Sequence, residues 1–311
     1  MVDNYTLSKI TSQDKTAIKE LAVANGGNAN LTEDYIEHWY FNNPSNSNAL
    51  WKVVVDDKME GYATTNNFIF NIKSAKALVA MPQNVLTSQK IRGKGLFNKL
   101  YFKTEWDNIE NNHIDYFLTF TNSMSTQIFL NKFGYTRGKC PIVSFTVFNV
   151  FDLFSKKKIE RIHSVNEINS APVFSFENAA FKTEQHIKWR YSNYPPDALH
   201  IISVKDGNYT TGYAVLKIEK KKGIKFLILM DIITERKENF PFIIESCFVY
   251  SSKQLYAGVL MFNLPVQVRS KLLRLEIKDR FNFLVKGKSA ESTTMLSNTD
   301  FTFFFGDLDI L

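Results

Sequence analysis

In Val85-Leu86-Thr87-Ser88-Gln89-Lys90-Ile91-Arg92-Gly93-Lys94-Gly95-Leu96-Phe97, three cations and two glycines separate a strand-like run from a helical one. Glycine admits the positive φ of tight turns, and successive backbone N–H groups then point into one concavity. A helix beginning near Gly95 adds its unpaired first N–H groups and the positive end of its dipole. With the charges of Lys90, Arg92 and Lys94, these make a pyrophosphate cradle. The plainer alternative is a basic turn that only caps a helix. The spacing is neither the Gly-x-Gly-x-x-Gly of dinucleotide folds nor the P-loop pattern with its Gly-Lys-Ser/Thr ending.

Other residue types with chemical potential are few. His38 is a candidate general base, because imidazole titrates near neutral pH; a hydrogen-bonded histidine packed on a helix face is the competing reading. Asp307 and Asp309 close the run Phe301–Asp309 and are candidates to meet an amino group, against the alternative of a surface turn. Cys140 and Cys247 are the two cysteines of the chain. They give no disulfide framework and no metal-ligand cluster, so no metal is expected. Cys140 lacks an activating neighbour in sequence, and His113 and His163 read as loop residues. Trp39, Tyr40, Trp189 and Tyr191 read as helix-to-sheet core ahead of a sugar-stacking platform.

The 311 residues carry 38 Lys and Arg against 31 Asp and Glu, a formal charge of +7. Hydrophobic residues make up 44%, with 27 Phe, 13 Tyr and 4 Trp, which excludes a disordered chain. The length suits two domains. The runs Lys156–Lys158 and Lys220–Lys222 read as solvated turns, and no aromatics interleave with arginine, so no nucleic-acid partner is expected. No apolar run approaches the roughly 20 residues of a membrane-spanning helix. Met1–Lys19 has no signal-peptide core, so the expected localisation is cytoplasmic.

The elements that must position the cradle are repeated. Ile36, Tyr40, Asn42 and Pro44 fall on Ile187, Tyr191, Asn193 and Pro195 at a constant offset of 151 residues, and Gly61-Tyr62-Ala63 falls on Gly212-Tyr213-Ala214 at the same offset. At that offset His38 takes the place of Trp189. A period this long means a duplicated domain rather than a solenoid. The expected organisation is a first domain over 1–152, a linker over 153–170 and a second domain over 171–311. Each half reads as mixed α/β. The spacing predicts helices over Asp14–Asn25 with Ser12 as N-cap, and over Glu33–Phe41 capped by Thr32. Strands are predicted at Trp51–Val55, Gly61–Phe70, Ala75–Met81 and Asn84–Thr87. The helix Gly95–Asn111, the strand Ile114–Thr121 and a helix over Ser125–Lys132 stopped by Gly134 follow. A strand Val143–Phe151 ends the half.

With these residues in place, Arg92-Gly93-Lys94-Gly95 after a strand resembles the coenzyme A loop of the GCN5-related N-acetyltransferases, whose pattern is Gln/Arg-x-x-Gly-x-Gly/Ala. Lys90 holds the first position. Asn122, Ser125, Phe129, Lys132, Phe133, Gly134 and Tyr135 resemble that family's next motif, a strand ending in Asn and a helix ending in Lys-x-Gly-aromatic. The resemblance covers Val85–Tyr135 and extends more weakly back to Tyr35. The second half is similar to the same fold but reads Thr234-Glu235-Arg236-Lys237-Glu238-Asn239 where the loop should be, so its coenzyme site is expected to be lost. The ending Phe301–Asp309 is similar to the close of two-domain acetyltransferases of bacterial surface polysaccharides.

The resemblance implies an α/β (α+β) chain of two tandem acetyltransferase-like domains, each a mixed, mostly antiparallel twisted sheet flanked by helices, the second degenerate and closing the acceptor side. It implies direct acetyl transfer from acetyl-CoA to a primary amine, with a nucleotide-linked amino sugar as the expected small-molecule partner. Val85, Leu86 and Thr87 would lie along the pantetheine, and the Leu86 N–H would polarise the thioester carbonyl. Amides from Lys90 and Ile91 through Arg92, Gly93, Lys94, Gly95 and Leu96 would hold the pyrophosphate. Asn122, Ser125 and Phe129 would line the coenzyme arm. Family members often place a Tyr acid on the second-motif helix; here that place falls on Leu130, beside Phe129. Two rivals stay open: a tandem peptidyltransferase using aminoacyl-tRNA, and a non-catalytic acyl-CoA-binding module.

Overall fold

The computed structural model describes residues 4–26, 31–45, 47–168, 173–194, 197–268, 273–277 and 281–308. The first half runs β1 (Tyr5–Lys9), α1 (Lys15–Ala24), α2 (Glu33–Ile36, continued by a π-helical turn over Glu37–Phe41), β2 (Ala49–Val55), β3 (Lys58–Ile72) and β4 (Ala75–Thr87). It continues with α3 (Leu96–Glu110), β5 (Tyr116–Thr121), α4 (Ser123–Lys132), β6 (Thr136–Arg137) and β7 (Val143–Val147). The second half contributes β8 (Lys158–Ile162), α5 (Glu184–Ser192), β9 (Leu199–Asp206), β10 (Tyr209–Lys221) and β11 (Ile224–Ile233). After these come α6 (Phe240–Lys253), β12 (Gly258–Phe262), β13 (Arg274–Ile277), β14 (Asn282–Gly287) and α7 (Ala290–Ser297).

Two mostly antiparallel sheets result, ordered β1-β2-β3-β4-β5-β14-β6 and β13-β7-β12-β11-β10-β9-β8. Each contains a parallel pair, β4 with β5 in the first and β11 with β12 in the second. The two sheets share a register slip at the residues that the offset of 151 pairs. Val53 pairs Gly61 and the register then slips to Val54–Met59; Val204 pairs Gly212 and then slips to Lys205–Thr210. Both glycines are required by a close backbone. A Cβ on Gly61 would stand 3.0 Å from the Leu86 carbonyl, and one on Gly212 would stand 2.6 Å from that of Ile233. Thr32 and Thr183 cap their helices in the same way, accepting from the N–H of Tyr35 and of His186.

The compact units are not the expected 1–152 and 171–311. One comprises Met1–Cys140 with Phe281–Thr299, the other Pro141–Arg280 with Asp300–Ile310. The halves exchange a strand: β14 pairs β5 (Asn282 with Thr121), and β7 pairs β12 (Val143 with Phe262). A short apolar strand satisfies its hydrogen bonds equally on either sheet, so local sequence does not tell which one it joins. The segment 153–170 is likewise not a plain linker, because β8 pairs β9 (Ile162 with Ile201).

In the first unit Trp51, Val53, Leu96, Leu100, Tyr101, Phe117, Phe129 and Phe133 form one buried cluster between the sheet and the α3–α4 layer. Each such side chain contributes about 1.5–3 kcal/mol of burial. In the second, Ile202, Val204, Leu216 and Leu229 meet Ile243, Ile244 and Cys247 of α6. Smaller departures from the expected elements have local causes. The first helix is entered through a 3-10 turn, Ser12–Asp14, with Thr11 and Asp14 forming the capping box, so Thr11 rather than Ser12 is the cap. The expected strand Val143–Phe151 stops at Val147, and a 3-10 turn takes over at Val150–Phe154. No helix among the described residues is long and apolar enough to cross a membrane.

Candidate functional site

The expected strands Ala75–Met81 and Asn84–Thr87 are one strand with a bulge. Tyr62 faces Leu86 and Thr64 faces Gln83, so Asn84 and Val85 together oppose Ala63. Asn84 takes φ 51°, a left-handed conformation that asparagine tolerates better than most residues. Parallel pairing of β4 with β5 covers Val79 with Tyr116 and Ala80 with Phe117. Beyond it comes Pro82, which has no N–H to give, and the Thr119 hydroxyl donates to its carbonyl at 3.1 Å. Past Pro82, Gln83, Val85, Leu86 and Thr87 are half-buried and Asn84 is exposed. A strand end opened in this way leaves backbone groups for a ligand.

The bulge is clamped from α2. Asn84 Nδ2 donates to the Tyr40 hydroxyl at 2.6 Å, and Trp39 Nε1 donates to Gln83 Oε1 at 2.9 Å. Both aromatics lie on the π-helical turn, a feature that re-aims side chains and recurs at functional sites. His38 immediately precedes them in sequence and is 7% exposed. Tyr40→Phe is expected to leave the fold intact, costing about 1 kcal/mol for the lost hydrogen bond. In a transferase assay it should lower kcat more than it raises KM for the coenzyme; a pure KM effect would show that the bulge does not need the clamp.

The loop after β4 forms a 3-10 turn, Gln89–Ile91, and then Gly93 and Gly95 at φ 75° and 76°. Nothing lies within 4 Å of where either Cβ would be, so both glycines serve backbone conformation and the space above them is open. Gly95 is the N-cap of α3, and no side chain caps that helix. Arg92 and Lys94 are exposed, and Ile91 and Leu96 anchor the loop in the core. The Arg92 and Lys94 N–H groups donate within the loop, to the Gln89 and Ile91 carbonyls at 3.3 Å each. The open space over the two glycines, an uncapped helix dipole and two exposed cations suit a pyrophosphate. Lys90 is arranged differently from Arg92 and Lys94. Its ammonium lies 3.1 Å from Asp56 and 3.5 Å from buried Glu60, which also accepts from Ser88. The bond to Asp56 holds the Lys90 pKa above its ordinary value.

The remaining expected residues take structural positions. Asn122 caps α4, accepting from the N–H and the hydroxyl of Ser125. Phe129 is buried against Tyr101, Phe133 and Tyr135. Tyr101 and Tyr135 share a 2.6 Å hydroxyl–hydroxyl bond in the same core, and burial pushes both phenols well above their usual range. Trp39, Tyr40, Trp189 and Tyr191 are all buried.

At the corresponding place in the second unit the chemistry is different. Tyr191, the counterpart of Tyr40, donates to Asp231 Oδ2 at 3.0 Å, beside a bulge of β11 that falls between Leu229 and Asp231. Asp231 also holds Lys182 at 2.7 Å, and Lys182 holds Asp307 at 2.8 Å, all three buried. Arg190 donates from Nε to the Gly306 carbonyl at 2.7 Å and from Nη2 to that of Leu308 at 3.0 Å. A Cβ on Gly306 would stand 2.1 Å from the Tyr191 hydroxyl. The segment around Gly306 is therefore packed onto the bulge that stays open in the first unit. Asp307, expected as a surface turn or a free acid, is instead a buried member of an ion triad; Asp309 lies outside the described residues. Gly306→Ala is expected to destabilise the protein by about 1–3 kcal/mol through overpacking, read in a denaturant melt. A neutral result would show that the segment yields freely.

Among the described residues no group of His, Cys, Asp and Glu is arranged to hold a metal. No family model matches the chain, and no curated protein matches it in sequence. Solved structures do match. A GCN5-related N-acetyltransferase from Kribbella flavida aligns over 92% of this chain and 71% of its own, at 13% identity and a TM-score of 0.64. One from Anabaena variabilis aligns over 91% and 72%, at 11% identity and 0.63. A probable N-acyltransferase from Enterococcus faecalis aligns over 91% and 73%, at 10% identity and 0.63. The fold of this chain is that of the GCN5-related N-acetyltransferases.

Proposed function

We propose that the protein is an acetyl-CoA-dependent N-acetyltransferase whose first unit carries the donor site. The observation that carries this reading is the open glycine loop at an uncapped helix, directly after a strand that bulges away from its parallel neighbour. Amides of Gly93, Gly95 and Leu96 hold the pyrophosphate, with the side chains of Arg92 and Lys94 supplying charge. The backbone of Val85–Thr87 runs beside the pantetheine. The Leu86 N–H donates to the thioester carbonyl oxygen as negative charge grows there, a preorganised donor of the oxyanion-hole kind.

The acceptor is a primary amine that must be neutral to attack. Its nitrogen bonds to the carbonyl carbon, the carbon–sulfur bond breaks, and the sulfur leaves as thiolate. His38 takes the proton that the nitrogen loses. The apolar Leu130 and Phe129 give no acid, which a thiolate of ordinary thiol pKa, about 8.5, does not require. The acceptor that best suits this reading is an amino sugar carried on a nucleotide, with a cytoplasmic site of action. Screening UDP- and dTDP-amino sugars, amino acids and polyamines for amine-dependent release of free thiol from acetyl-CoA tests it. Release with one amine class identifies the acceptor; no release with any amine from a protein that binds acetyl-CoA would refute the transferase reading. His38→Ala is expected to lower kcat at least tenfold near neutral pH and to flatten the acidic limb of the pH–rate profile; full activity across pH removes His38 as base.

A further inference from the structure

The sheet of the second unit ends on a strand whose outer side is open. β13 pairs with β7 along one side, Arg274 opposite Thr146 and Ile277 opposite Val143. Among the described residues no strand lies along its other side. The Val147 N–H donates to the Leu273 carbonyl at 3.0 Å, so Leu273 turns its backbone groups toward β7. By the alternation of an antiparallel ladder, Leu275 and Ile277 do the same, and the N–H and C=O of Arg274 and Glu276 point to the open edge. The side chains are open as well. Leu273 is 65% and Leu275 50% exposed, and Arg274 and Glu276 are exposed. Arg274 donates to the Asn263 amide oxygen, and neither it nor Glu276 has an ion-pair partner among the described residues. Soluble proteins commonly block such an edge with like charges, a proline or a bulge. Leu273–Ile277 has no proline and no bulge, and its two charges are of opposite sign.

We infer that a second copy of the chain joins at this edge and continues the sheet across a two-fold axis. An antiparallel two-fold pairing sets outward-facing residues against outward-facing residues. Centred on Arg274 or on Glu276, it puts that charge directly against its own copy, which is destabilising. Centred on Leu275, it sets Arg274 against the partner subunit's Glu276 and Glu276 against the partner subunit's Arg274. Each of these two pairs exchanges two N–H···O bonds and joins opposite charges. On the opposite face Leu275 meets its own copy at the closer, non-hydrogen-bonded spacing, and Leu273 stands across from Ile277. That row continues the one formed by Phe145 and Leu260, which share the Leu275 register. Charge therefore selects a single register. So short a strand makes a small interface, and the dimer is a reversible one. It uses no residue of the donor site and is independent of the transferase reading.

Sedimentation equilibrium from micromolar to near-millimolar concentration is expected to show the 35.9 kDa chain in exchange with a species of twice that mass. Glu276→Arg sets Arg against Arg, and Arg274→Glu sets Glu against Glu. Each variant alone should dimerise about tenfold more weakly than the wild type while circular dichroism stays native. An equimolar mixture of the two restores both opposite-charge pairs and should dimerise as the wild type does. The double variant Arg274→Glu/Glu276→Arg should do so too. Such a rescue is a gain that a misfolded variant cannot give. A wild type that stays monomeric throughout overturns the inference, as does a mixture no stronger than its parts. A dimer that both single variants leave intact places the contact on another surface and overturns it as well.

Discussion

Lys182→Met is expected to destabilise the protein by about 3–5 kcal/mol, the cost of breaking a buried ion pair from one side. The substitution removes the ammonium from between Asp231 and Asp307 and leaves two carboxylates that water does not reach. Stability of a folded domain is about 5–15 kcal/mol in all, so the melting temperature should fall by on the order of 10 °C. Adding Asp231→Asn and Asp307→Asn should restore most of the loss, because the uncompensated charges are then gone. The pH dependence follows from the directions of the shifts. Burial pulls the Lys182 ammonium down, but the two carboxylates outweigh it and hold it above its ordinary value. Lysine thus contributes stability below its unfolded pKa, which is lost as pH rises through the folded one. Burial raises Asp231 in spite of Lys182. The folded state therefore binds protons more readily than the unfolded chain just above the ordinary carboxylate range, and stability from this group falls as pH rises there. Without Lys182 that window widens upward, so the deficit of the variant should shrink as pH is lowered from about 7 to about 5. Urea melts across that range check it; a deficit below about 1 kcal/mol at neutral pH would mean that the triad is already solvated.

The triad shows what was and was not legible in the chain. The offset of 151 residues was readable because it falls on residues whose types are fixed by backbone needs: Gly61 and Gly212 under a crossing carbonyl, and Tyr40 and Tyr191 reaching a bulge. The glycines at 93 and 95 were readable for the same reason, since positive φ leaves a signature in composition. The exchange of β7 and β14 was not. β7 alternates apolar and polar residues and β14 carries the short apolar run Phe283–Val285; either pattern fits either sheet, and the choice is settled by contacts more than 100 residues away in sequence. Asp307 read as a turn because Gly-Asp is turn chemistry. Its partners, Lys182 and Asp231, lie in distant segments, and nothing local records that a tail segment returns to cover the bulge. The bulge of β4 left only a faint trace in Pro82 and Asn84, which split one strand into two predicted ones.

Acetyl-CoA should bind the wild type with one molecule per chain, and Gly93→Asp with Gly95→Asp should abolish that binding. Aspartate is among the few residues that accept a left-handed conformation, so the loop can keep its φ of 75° and 76° with little loss of fold. The two new carboxylates then stand where a pyrophosphate would lie, and like charges in a partly desolvated cradle repel strongly. At a ligand concentration of 100 Kd the wild type gains about 2.7 kcal/mol of apparent stability by mass action, and the double variant should gain none. Arg92→Ala and Lys94→Ala should each weaken binding by about 1 kcal/mol, with larger effects at low salt because both groups are exposed. Lys90→Ala should matter less, since Asp56 and Glu60 already take its charge. The stoichiometry tests the second unit as well. There the segment around Gly306 fills the place beside the bulge, and Thr234–Asn239 has no glycine to turn its amides outward, so a second coenzyme finds neither space nor cradle. Calorimetric titration that returns two sites per chain would overturn that part, and an undiminished thermal shift in the double variant would remove the cradle altogether.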